Sequence, residues 1–159
     1  MTISARNHAH SPLNIILVED DDGDAKAIRR AFEKARIANP VRRCVDGVEA
    51  LDFLRGKHEA PPSNYVMLVD VNMPRMSGLE LVREVRRDPD LRKAIIFMLT
   101  TSRDDRDLDA AYRENVAGYV LKQNAGRDFI DLITTLDHYW RVVELPQMSR
   151  SRATGQSGI

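Results

Sequence analysis

Five residues scattered from Glu19 to Lys122 carry the chemistry open to this sequence. Glu19 and Asp20, Asp70, Thr100 and Lys122 each follow a short apolar run: Asn14 to Val18, Tyr65 to Val69, Ala94 to Leu99 and Gly118 to Leu121. Unbroken apolar runs of that length read as strands buried on both faces of a parallel sheet. The residues that end such strands emerge together along one edge, where open α/β sheets place their sites. Three carboxylates on one edge repel one another, and each is driven toward protonation unless a cation neutralises them. Oxygen ligands of this kind, few and with room for water and substrate oxygens, suit Mg²⁺ better than a calcium cage. Lys122 adds a mobile positive charge and Thr100 a small hydroxyl donor, which together make a pocket for a transferring phosphoryl group. Asp70 would be the nucleophile, and its attack on phosphorus would give an aspartyl phosphate.

Each residue also has a plainer reading. Thr100 alone is a helix cap, and Lys122 alone is a solvated surface lysine. The acids Asp21, Asp22 and Asp24 read as capping and dipole charges at the start of a helix. A calcium loop counted from Asp20 fails, because Ala25 stands where glycine is needed and Ala31 where glutamate is needed. The joint placement at strand ends is what carries the inference.

The elements that must position these residues follow from periodicity. Ile28, Ala31, Phe32 and Ala35 mark an amphipathic helix over Asp22 to Arg36. A short strand covers Val41 to Val45, Asp46-Gly47 turns, and a second helix ends at Gly56. Lys57 to Asn64 is a loop. Pro74 forces a loop after Asp70, and Leu79, Val82, Val85 and Arg86 define a third helix that stops near Asp88-Pro89. A fourth helix is expected over Asp104 to Asn115 and a fifth from Arg127 to Val143. Strands alternate with helices five times, which calls for one parallel sheet with helices on both faces.

The bulk numbers agree with one compact domain. The 159 residues are 43% hydrophobic, and Lys+Arg and Asp+Glu both total 24, so no basic field exists to hold nucleic acid or a membrane surface. The single cysteine, Cys44, and the absence of zinc spacing suit a reducing cytoplasm. No apolar run is long enough to span a bilayer. Met1 to Pro12 reads as a disordered tail and Gln147 to Ile159 as a flexible one.

Val18-Glu19-Asp20-Asp21, Val69-Asp70-Val71-Asn72-Met73-Pro74 with Gly78, Leu99-Thr100-Thr101, and Gly118-Tyr119-Val120-Leu121-Lys122 together resemble the receiver domain of two-component response regulators. The resemblance covers Asn14 to Leu136, within a domain spanning 13–146. It implies a flavodoxin-like fold with strand order 2-1-3-4-5 that takes phosphate from a phosphohistidine on a sensor kinase. It further implies Asp70 as phosphoacceptor, and Asp20, Asp70 and the Asn72 backbone carbonyl as Mg²⁺ ligands with Glu19 reaching the metal through water. Thr100 and Lys122 would contact the phosphoryl group, and Thr100 and Tyr119 would form a switch pair. The chain departs from the family pattern after the lysine: Gln123-Asn124 replaces the usual proline, which puts the shape of that loop in doubt. A trans Lys122-Gln123 bond is the default.

An apolar stripe through Phe129, Ile133, Leu136, Trp140, Val143 and Leu145 continues past a minimal receiver and predicts a homodimer through the C-terminal helix and arm. Tyr139-Trp140, Val142-Val143 and Leu145-Pro146 also resemble the ending of the small receivers that serve phytochrome-type kinases. Three other readings compete with a phosphorylated signalling protein. A dehalogenase-type phosphatase would need an acid at Asn72. A flavin protein would need a phosphate loop where the acids stand. A scaffold that no longer takes phosphate would have no use for the intact set.

Overall fold

The computed structural model describes residues 12–34, 36–101, 105–122, 130–131, 134–135 and 138. Five strands, β1 (Asn14–Val18), β2 (Val41–Cys44), β3 (Tyr65–Asp70), β4 (Ile95–Thr100) and β5 (Gly118–Leu121), alternate with α1 (Asp22–Lys34), α2 (Gly47–Leu54), α3 (Gly78–Arg87) and α4 (Asp105–Arg113). All pair in parallel, as the alternation of runs predicts, in the order β2-β1-β3-β4-β5, the flavodoxin-like arrangement that the resemblance to receivers implies. β3 is central and every one of its residues is buried, which explains its unbroken apolar composition.

Side chains alternate across the sheet and build two cores. Ile16, Val18, Met67, Val69, Ile96 and Met98 face α2, α3 and α4, packing with Leu51, Leu81, Val82, Val85 and Ala111. Ile15, Leu17, Val66, Leu68 and Leu99 face the other way and pack with Ala25, Ile28 and Phe32 of α1 and with Ile130. Ile28 and Phe32 belong to the stripe seen in the sequence, Ala25 extends it by a turn and Ala31 is half-buried; burial of Ile28 or Phe32 contributes about 1.5–3 kcal/mol each. Cys44 lies in the first core, where burial pushes its thiol up to about 12.

Element ends differ from the sequence reading where side chains act as caps. Asp46 is the N-cap of α2, accepting from the Glu49 amide at 2.8 Å, so Gly47 begins the helix instead of closing a turn. The same helix stops at Leu54, and Gly56 takes the left-handed conformation (φ 73°) that favours glycine. Ser77 and Glu80 form a reciprocal capping box that starts α3. α1 ends at Lys34, short of Arg36, whose left-handed backbone (φ 56°) cannot continue it. Of the expected fifth helix, residues 130–131, 134–135 and 138 are helical; Phe129, Ile133, Leu136, Trp140, Val143 and Leu145 lie outside the described residues, as do both expected tails apart from Pro12.

At the edge opposite the strand ends, Arg86 ties two loops together. Its guanidinium donates to the carbonyls of Glu114 (2.7 Å), Arg92 (2.7 Å), Ala94 (2.7 Å) and Asn115 (3.0 Å). One fork of donors thus satisfies both the α3–β4 and α4–β5 connections.

Candidate functional site

The pairing register decides which residues meet. Val18 aligns with Val69, Asp70 with Leu99, and Thr100 with Leu121. Glu19 is therefore beside Asp70, Thr100 one step further along, and Lys122 one step beyond that. Alternation then sorts them by face. Glu19, Asp70 and Lys122 fall on the α1 side of the sheet with Leu17, Leu68 and Val120, whereas Thr100 and Tyr119 fall on the side of Met98 and the α2–α4 core. The sequence reading grouped Thr100 with the acids on one edge; the strands add that it approaches from the other face.

Glu19 is fully buried and Asp70 nearly so, while Asp20 is exposed at the mouth. Carboxylate oxygens of all three lie within 4.8 Å of one another. Lys122 Nζ sits among them, 2.7 Å from Glu19 Oε1 and 3.2 Å from Asp70 Oδ2. It also donates to Asp24 Oδ2 at 2.9 Å, a contact the sequence did not foresee, because Asp24 had a sufficient role at the helix start. Burial pushes Glu19 up to about 8, reinforced by Asp70 and opposed by Lys122. Burial likewise raises Asp70, against the lowering influence of Glu19, Lys122 and the Asn72 amide, which donates to Asp70 Oδ1 at 3.3 Å. Burial pulls Lys122 down, but the Glu19, Asp24 and Asp70 carboxylates outweigh it and hold the ammonium above its ordinary range.

Two groups outside the acidic set shape it. Arg43 on β2 donates from Nε to the Glu19 carbonyl (2.9 Å) and from Nη1 to Asp22 (2.7 Å), pinning the β1–α1 loop. Asp21 caps α1 by accepting from the Asp24 amide at 2.8 Å, as its position predicted. Asp22 therefore serves Arg43 and Asp24 serves Lys122, two ion pairs where the sequence suggested only dipole charges. In the β3–α3 loop, exposed Asn72 is followed by Arg75, whose left-handed backbone (φ 65°) aims its guanidinium at Asp46, with Nε 3.0 Å from Oδ2. Tyr119 is half-buried and stacks edge-on against Tyr112, ring centres 6.5 Å apart.

The donor set fits a hard divalent cation. Glu19 Oε1 is buried and accepts no hydrogen bond, although it pairs in charge with Lys122. Such lone pairs, all oxygen and clustered with two more carboxylates, match a small oxygen-preferring ion.

A parallel sheet that collects three carboxylates, a lysine and a buried threonine at its carboxyl edge defines the receiver class of signalling domain. The chain belongs to the response regulator receiver domain family, whose model matches residues 15–134. It is 29% identical over 143 residues to the response regulator Rcp1 of Synechocystis sp., covering 88% of this chain and 97% of that protein. The Mn(2+)-bound form of Rcp1 superposes with a TM-score of 0.68 at 28% identity, covering 85% of this chain and 99% of that one. The bacteriophytochrome response regulator AtBRR is similar at 32% identity and TM-score 0.68, over 84% of this chain and 98% of that one. The phosphorylated cyanobacterial phytochrome response regulator RcpA is similar at 26% identity and TM-score 0.70, over 85% and 99%. The chain is thus a response regulator receiver domain related to those of phytochrome systems. Among the described residues, no helix is long and apolar enough to cross a membrane.

Proposed function

We propose that this chain is cytoplasmic and accepts a phosphoryl group on Asp70 from a phosphohistidine of a sensor histidine kinase of the phytochrome type. The observation that carries this reading is the Asp70 carboxylate, nearly buried, with Lys122 at 3.2 Å and two more carboxylates beside it. An Asp70 oxygen forms the new bond to phosphorus while the P–N bond to the donor imidazole breaks, its electron pair staying on the ring nitrogen. Glu19, Asp20, Asp70 and the Asn72 main-chain carbonyl would hold Mg²⁺, which when bound neutralises charge on the transferred oxygens. Lys122 orients and neutralises one phosphoryl oxygen, and the Thr100 hydroxyl donates to another. The protein signals rather than turning over a substrate, apart from slow self-phosphorylation and dephosphorylation.

Thr100 and Tyr119 share a face, so movement of Thr100 toward a phosphoryl group would open space for Tyr119 on the α4 side. The stripe through Phe129, Ile133, Leu136, Trp140, Val143 and Leu145 is proposed as the surface of a homodimer that reports this change.

Intact-protein mass after incubation with Mg²⁺ and acetyl phosphate, with a sizing run on each sample, tests the reading. A labile phosphoryl adduct in wild type that is absent from Asp70→Asn is expected. An adduct that survives Asp70→Asn, or none in wild type under acetyl phosphate and a phosphorylated kinase alike, would overturn it.

A further inference from the structure

Lys122 has one partner that belongs to none of the roles above. Glu19 and Asp70 are strand-end residues on the sheet, whereas Asp24 sits in the first turn of α1 with a side chain 45% exposed. It is nevertheless the carboxylate to which Lys122 donates a hydrogen bond, across 98 positions of sequence. The face assignment explains the meeting: α1 covers the side of the sheet on which Lys122 emerges. An ammonium has only three donors, and three carboxylates lie within 3.2 Å of this one. A phosphoryl oxygen arriving on Asp70 competes with these carboxylates for the ammonium. Glu19 is fully buried and fixed through Arg43 at its carbonyl, and Asp70 carries the new group itself. Asp24, half-exposed at the start of its helix, can turn to water at small cost.

We propose that Asp24 is the exchange partner of Lys122: it holds the ammonium while Asp70 is unmodified and yields it when a phosphoryl group on Asp70 takes that place. The inference rests on the phosphoacceptor reading of Asp70. It makes Asp24 a positioning residue, and it makes the first turn of α1 a second reporter of the state of the site, on the sheet face opposite Thr100 and Tyr119.

The test compares wild type, Asp24→Asn, Asp24→Glu and Asp22→Asn in the full chain. Asp22 serves as the control because it lies in the same turn, carries the same charge and pairs with Arg43 instead. Affinity for beryllofluoride, a phosphoryl mimic, is read by fluorine NMR in saturating Mg²⁺, and urea midpoints are taken with and without it. Removing the competing carboxylate should tighten beryllofluoride binding about three- to tenfold in Asp24→Asn, with Asp24→Glu close to wild type and Asp22→Asn unchanged. The Asp24→Asn midpoint should fall in the free protein and show little change in the complex. Equal effects of Asp24→Asn and Asp22→Asn, weaker binding in Asp24→Asn, or equal destabilisation of both states would overturn the proposal. Wild type that takes up beryllofluoride beside an unresponsive Asp24→Asn sinks this inference alone; wild type that takes up neither beryllofluoride nor phosphate sinks the Asp70 reading and this one with it.

Discussion

Gly78 lies directly against the peptide that carries Asp70. Its amide donates to the Val71 carbonyl at 2.9 Å, and a Cβ on Gly78 would be 3.0 Å from the Asp70 carbonyl carbon and from Val71 Cα while overlapping the Asp70 carbonyl oxygen. The start of α3 thereby fixes the backbone from which Asp70 projects. Both partners are main chain, so neither can swing aside. Gly78→Ala should cost about 1–3 kcal/mol or more by overpacking, seen as a lower urea midpoint. Because the strain falls on the Asp70 peptide, the surviving folded fraction should also take up phosphate from acetyl phosphate more slowly. An unchanged midpoint would mean the helix start yields more readily than this packing implies.

Metal affinity should depend on pH near neutrality. Glu19 is held at about 8, against 4.5 for an ordinary glutamate, and Asp70 is also raised. The folded protein thus binds more protons than the unfolded chain through that window, and its stability falls as pH rises from about 4.5 to 8. Mg²⁺ requires the ionised carboxylates and would expel the proton. Its apparent affinity should climb with pH, at most about tenfold per unit for one proton, and level off above the Glu19 value. Isothermal titration in buffers of different ionisation enthalpy reads both the affinity and the proton released. A flat profile between pH 6 and 8 would contradict this linkage.

Arg86 should matter to stability and not to phosphate uptake. It holds four carbonyls from two connections at the edge far from Asp70. Arg86→Ala should cost about 2 kcal/mol, since it removes hydrogen bonds from a charged donor and leaves two part-buried carbonyls without that partner. Arg86→Lys should restore less than half of that, because an ammonium cannot reproduce the planar fork. Denaturant curves for the pair, with adduct mass as the control, decide it.

Asp21→Ala should remove the α1 N-cap at a cost of about 1 kcal/mol while the Asp70 adduct still forms. Thermal or urea unfolding beside the mass assay measures both. Loss of the adduct at full stability would instead place Asp21 in the chemistry.

The strand-end acids, Thr100 and Lys122 were legible because each follows an apolar run, and a parallel sheet converts that position into a shared edge. The alternation with helices was legible for the same reason, whereas the strand order came only with the resemblance to receivers. Asp24 was not, since an acid in the first turn of a helix is already explained by the dipole, and its partner is distant in sequence. Arg86 presented itself as one position of a helical repeat, and only the folded loops reveal four acceptors around it. Gly78 could be read as a turn residue; its pressure on the Asp70 peptide depends on where α3 enters. Which face Thr100 takes was also hidden, because the parity of a strand has meaning only once one residue is known to point inward.

The register has a consequence for how such a chain can change length. Strand neighbours are spaced by about 3.3 Å per residue, and each step reverses the side on which a residue stands. Adding or deleting one residue within β1, β3, β4 or β5 would send Glu19, Asp70, Thr100 or Lys122 to the wrong side of the sheet, with no loss of composition at all. The site is therefore a counting device, indifferent to insertions in the 57–64 loop at the far edge and intolerant of a single one between the start of a strand and its terminal charge. Tandem scanning insertions along the chain should trace that contrast as sharp gaps of lost function aligned with four strands.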